Sequence, residues 1–133
     1  MELSNLNIKN GLCISLGSNI DSKFGTPINS LIESKFRIQT IIINLINLNH
    51  VYKLEKNILE KFYNWSSLYQ TSPLGVVEKQ PDYINCLLLV KGDLMPPCSN
   101  EKARFLLKEF QNLEKEFGRN KSSKEQRWLP RTL

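Results

Sequence analysis

Asp82-Tyr83-Ile84-Asn85-Cys86-Leu87-Leu88-Leu89-Val90 decides how this chain is read. It is the strongest strand pattern present, and it is apolar enough to lie in the middle of a sheet. Working backward from it, Ser72-Pro73-Leu74-Gly75 is a loop, and Asn64–Thr71 alternates and is rich in aromatic and hydroxyl residues, so it reads as a strand. Working forward, Lys91–Pro97 turns, and Pro97-Cys98-Ser99-Asn100 leads into a helix over Glu101–Phe117. That helix is expected to turn Ala103, Leu106, Leu107, Phe110, Leu113 and Phe117 inward and to stop at Gly118. Near the start, Leu12–Leu16 reads as a buried strand feeding a tight turn, Gly17-Ser18-Asn19. Thr26-Pro27 then has the form of a helix start, with Thr as N-cap and Pro in the first position. Ile28, Leu31, Ile32, Phe36, Ile42, Leu45 and Ile46 follow at near-helical spacing up to Asn47–Asn49. A second helical piece is expected over Lys53–Phe62, with Leu54, Ile58, Leu59 and Phe62 on one side.

The predicted order is therefore β-α-β-β-α, with a last segment beginning at Arg127. One more strand would complete a split β-α-β pair, so the fold class is α/β (α+β), a two-layer ferredoxin-like sandwich without its last core strand. At 133 residues the chain suits a single domain, able to bury roughly two-thirds of its unfolded surface. No run approaches the length of a membrane span, and the polar first ten residues do not resemble a secretion signal. Cys13, Cys86 and Cys98 form no CxxC pair and read as reduced thiols of a cytoplasmic protein. His50 alone cannot build a histidine-based metal site.

Charge is concentrated at one end. From Gly118 to Leu133 five cations (Arg119, Lys121, Lys124, Arg127, Arg131) face one acid, Glu125, which is +4 of the chain's net +5. Arginine offers a rigid fork of donors to phosphate oxygens, and Trp128 between Arg127 and Arg131 adds a flat apolar surface. Taken alone this could be a solvated basic tail. Other residues point the same way as a ligand site. Tyr83 and Asn85 are two apart on a strand and so share a face, pairing a ring for stacking with an amide that donates and accepts. Pro73 and Gly75 fix a loop whose main chain can face a ligand. Gln111 and Glu114 lie one helical turn apart, and Arg119 follows the helix-ending glycine.

These motifs together resemble the 6-hydroxymethyl-7,8-dihydropterin pyrophosphokinases of folate biosynthesis. The resemblance rests on Gly17-Ser18-Asn19, Tyr69-Gln70-Thr71-Ser72-Pro73-Leu74-Gly75, Gln80-Pro81-Asp82-Tyr83-Ile84-Asn85, Gly118-Arg119, and Arg127-Trp128-Leu129-Pro130-Arg131-Thr132-Leu133, in that order. It implies transfer of a pyrophosphoryl group from ATP to the hydroxymethyl oxygen of the dihydropterin, with release of AMP. It also implies that the pterin meets Thr71, Pro73, Leu74, Tyr83, Asn85 and Trp128. ATP would meet Gln111, Glu114, Lys121, Arg127 and Arg131, and Arg119 and Arg131 would act in the transition state.

Three departures from the family pattern qualify these expectations. Leu129 stands where the family has glycine, Lys121 stands where arginine is common, and the stretch between Asn19 and Ser66 is longer than usual. The resemblance further places two magnesium ions on an Asp-x-Asp pair that would follow Leu133. No metal ligand is therefore expected in the chain as given, which is expected to be an inactive N-terminal part of a longer enzyme. A monomer is expected, with ATP and the dihydropterin as partners and neither nucleic acid nor membrane. Two readings compete: a ferredoxin-like RNA-binding module and a catalytically dead relative. The first lacks the aromatic-rich strand of RNA-recognition modules, since Tyr83–Val90 carries one aromatic.

Overall fold

The computed structural model describes residues 11–47, 63–75, 79–92, 99–119 and 132–133. Within them the order is β1 (Leu12–Ser18), α1 (Pro27–Asn47), β2 (Tyr63–Trp65), β3 (Tyr69–Thr71), β4 (Tyr83–Val90) and α2 (Asn100–Glu116). β4 is central, as its composition predicts: β1 pairs with it antiparallel on one side, and β2 and β3 pair with it antiparallel on the other. This is the split β-α-β arrangement of an α+β ferredoxin-like sandwich, a four-stranded antiparallel sheet with two helices. Among the described residues, no strand lies on the outer side of β1.

The register sorts the strands by face. Leu12, Ile14, Leu16 and Ser18 stand opposite Val90, Leu88, Cys86 and Ile84, and this set faces the core. The intervening positions Cys13, Ser15 and Gly17 stand opposite Leu89, Leu87 and Asn85 on the other face, where Leu87 and Leu89 are exposed. The core is built from the inward face together with Leu31, Ile38, Ile42 and Ile46 of α1, Leu113 of α2, Phe117 at its C-cap, and Leu133.

Three expectations are corrected. The buried stripe of α1 runs through Leu31, Ser34, Ile38, Ile42 and Leu45, whereas Ile28, Ile32 and Phe36 lie exposed. The apolar positions of α1 belong to two faces, and the small serines Ser30 and Ser34 let its buried face lie close to its neighbours. Ala103 and Leu107 of α2 are likewise exposed. The third correction concerns Asn64–Thr71, which is two short strands. The main-chain N–H of Ser66 donates to Leu87 O at 2.9 Å, and the Leu87 N–H donates to Ser66 Oγ at 2.8 Å. A hydroxyl has taken the place of a carbonyl in the ladder, which interrupts regular pairing there.

The helix ends follow local rules. The Asn29 N–H donates to Thr26 Oγ1 at 3.4 Å, and the Ser99 side chain, on an extended residue, accepts from the Lys102 N–H at 3.2 Å. The piece expected over 53–62, Cys98 and His50 lie outside the described residues. Cys13 is exposed and Cys86 buried, both as free thiols. Burial pushes the Cys86 thiol up from its ordinary pKa, against a smaller opposing effect of Lys35. No helix among the described residues is long and apolar enough to cross a membrane.

Candidate functional site

Three strands bring one polar cluster together on the open face of the sheet. Asn85 stands opposite Gly17 on β1 and Tyr69 on β3, and Tyr83 stands opposite Thr71. Residues paired in register, and those two apart on a strand, point to the same side, so Gly17, Thr71, Tyr83 and Asn85 share this face. The Asn85 amide donates from Nδ2 to Thr71 Oγ1 at 2.7 Å. Its oxygen leans over β1: a Cβ added to Gly17 would lie 2.8 Å from Asn85 Oδ1 and 3.7 Å from the Tyr83 ring. Glycine is therefore what lets the carboxamide lie flat across the two strands beside the tyrosine.

The ends of this cluster are fastened. Asn19, almost fully buried, donates from Nδ2 to Gln80 Oε1 and to Pro81 O, each at 3.1 Å. Gln70 Nε2 donates to Asp82 Oδ2 at 2.9 Å. Two of the sequence motifs thus hold each other in place. The Gly17-Ser18-Asn19 element, expected as a tight turn, is a strand end whose Asn clamps the approach to β4. Pro73 is half-buried next to Thr71, and Leu74 is 84% exposed beyond it.

A second group lies along the outer edge of β1. A cavity of about 160 Å3 is lined by Ser15 and Gly17 on the strand, Phe110 and Glu114 on α2, and Arg119 and Leu133. Gly17 borders both this cavity and the Asn85 cluster. Arg119 Nη1 donates to Glu114 Oε2 at 2.7 Å, and the two side chains are 19% and 22% exposed. The loop after α2 begins with a firm cap. Gly118, at φ 102°, sends its N–H to Lys115 O, and the Arg119 N–H returns to Glu114 O, both at 2.9 Å.

Gln111 is half-buried on α2, three residues before Glu114. Lys121, Arg127, Trp128 and Arg131 lie outside the described residues. Among the described residues no three His, Cys, Asp or Glu side chains converge as a metal site. Glu114 is engaged by Arg119, and Asp82 by Gln70. The described donors therefore do not fit magnesium, which takes several oxygens in octahedral array, and no step is assigned to it here.

What sequence reasoning missed are the tie from Asn19 to Gln80 and Pro81, the close approach at Gly17 and the Glu114–Arg119 pair. Only the last left a signal, a glycine-capped helix with acid and base five residues apart.

Comparison with known proteins supplies the class. No curated protein matches the chain. The family model for 7,8-dihydro-6-hydroxymethylpterin-pyrophosphokinase matches residues 13–133, which takes in both clusters and nearly all of the sequence. The chain accordingly belongs to the 7,8-dihydro-6-hydroxymethylpterin-pyrophosphokinase family, the ATP-dependent pterin pyrophosphokinases of folate biosynthesis.

Proposed function

We propose that the protein transfers pyrophosphate from ATP to 6-hydroxymethyl-7,8-dihydropterin. The pterin lies on the open face against Tyr83, with its polar edge read by Asn85 and Thr71. Pro73, Leu74 and Trp128 complete that end. Gln111, Glu114, Lys121, Arg127 and Arg131 form the nucleotide end, and Arg119 and Arg131 meet the charge that develops on the transferring group. The observation that carries this reading is the 2.7 Å bond from Asn85 to Thr71 beside Tyr83, across the paired strands β3 and β4. It presents a preset amide next to an aromatic ring, which suits a flat heterocycle with donors and acceptors on its rim.

The chemistry asks for alignment and charge. The hydroxymethyl oxygen attacks the β-phosphorus of ATP, the bond from that phosphorus to the oxygen bridging the α-phosphate breaks, and AMP departs with that oxygen. Arginine forks placed where charge accumulates are worth more once water is excluded, and positioning supplies much of the remainder. Any turnover of ATP and the dihydropterin, with magnesium present, is expected to form AMP and the pterin diphosphate in equal amounts. Release of ADP, or ATP cleavage indifferent to the pterin, would contradict the proposal.

A further inference from the structure

We propose that Glu114 is a positioning residue for Arg119, fixing the guanidinium so that its remaining donors line the cavity beside β1 as a seat for a polyphosphate. The inference rests on the nucleotide end of the reading above and assigns Glu114 a part other than contact with the nucleotide.

Two independent features bind Arg119 to Glu114. The cap at Gly118 folds the chain back so that the Arg119 N–H reaches Glu114 O, the long-range bond of a Schellman turn. In such turns the two residues concerned commonly meet through apolar side chains; here they meet through a 2.7 Å ion pair. Main chain and side chain of Arg119 are thus both anchored on one residue. Only Nη1 is used in the side-chain pair, and a guanidinium carries five N–H donors in a rigid plane. Both residues line the cavity of about 160 Å3, together with Ser15 and Gly17 of β1. A long side chain held in this way loses less freedom when a phosphate arrives, so each contact is made at lower entropic cost.

The sign of one experiment separates this from its rivals. By Coulomb attraction alone, removing an acid from an anion site should tighten anion binding. A positioning role predicts the reverse. In calorimetric titration, Glu114→Ala is expected to bind ATP and inorganic tripolyphosphate about tenfold more weakly than the unaltered protein. Glu114→Ala placed on Arg119→Ala should add nothing further, and Glu114→Asp should recover part of the loss. Circular dichroism checks that each variant keeps its helix content.

Unchanged or tighter binding by Glu114→Ala overturns the proposal, as does a full additional loss in the Arg119→Ala background, which would make Glu114 a direct ligand. Release of ADP in place of AMP, with the tripolyphosphate effect intact, would sink the pterin kinase reading alone. If the unaltered protein binds neither anion, both fall.

Discussion

Asn85 answers to two neighbours at once: its nitrogen is committed to Thr71 and its oxygen lies over Gly17. Removing either constraint should harm binding more than folding. For Asn85→Ala we expect the pterin Kd to rise about tenfold or more, since a hydrogen bond to a buried heterocycle edge is worth roughly 1–3 kcal/mol when its partner is left unmet. Gly17→Ala should act through the same amide. The added methyl would meet the end of a movable side chain, so the melting temperature should shift little while pterin affinity falls. A large loss of stability with unchanged affinity would contradict this.

Tyr63 offers a residue-scale test of a different kind. Its hydroxyl is buried with no hydrogen-bond partner among the described residues, and burial pushes its pKa from 10.0 up to about 12. Between those values the unfolded chain gives up a proton that the folded protein keeps. Stability is therefore full below pH 10.0 and falls as pH rises toward about 12. Tyr63→Phe should lessen that alkaline slope and leave stability near neutrality unchanged or slightly raised, measured by denaturant melts across the range.

At the scale of elements, boundaries were more legible than faces. Helix starts at Thr26-Pro27 and Ser99, and the stop at Gly118, follow from side chains that serve the helix's own unpaired main-chain groups, so sequence shows them directly. Which stripe of α1 is buried depends on what packs against it, and β1, β4 and α2 select Leu31–Ile38–Ile42 over Ile28–Ile32–Phe36. The break between β2 and β3 was hidden because Ser66 differs from its strand neighbours only in what its hydroxyl finds. Ser66→Ala should cost about 1 kcal/mol by leaving the Leu87 N–H without its present acceptor. Hydrogen exchange at Leu87 should quicken correspondingly; exchange that stays as slow would assign the break another cause.

The whole molecule divides its labour by layer. The segment before α1 and the C-cap of α2 meet through the Phe24 and Phe117 rings, with centroids 4.5 Å apart. The two helices meet through Arg37, which reaches Glu116 at 2.8 Å while also pairing with Glu33 on its own helix at 3.2 Å. Such exposed ion pairs contribute little individually, and the apolar core beneath them does most of the holding. The opposite side of the sheet carries the Asn85 cluster, on which the proposed pterin site rests. Half of the candidate site was legible because strand alternation forces Tyr83 and Asn85 to one face wherever the strand lies. The other half, Gly17 beside Asn85 and Glu114 beside Arg119, depends on strand register and on a helix cap, which are settled only when the chain is packed.

The open face can be interrogated directly by nuclear magnetic resonance. With a non-hydrolysable ATP analogue present, the dihydropterin should shift the Asn85 side-chain amide and the Gly17 main-chain signal first and most, leaving Ile42 and Val90 in the core unmoved. Saturable shifts confined to other surfaces, with Asn85 and Gly17 unchanged, would show that the pterin does not lie against Tyr83.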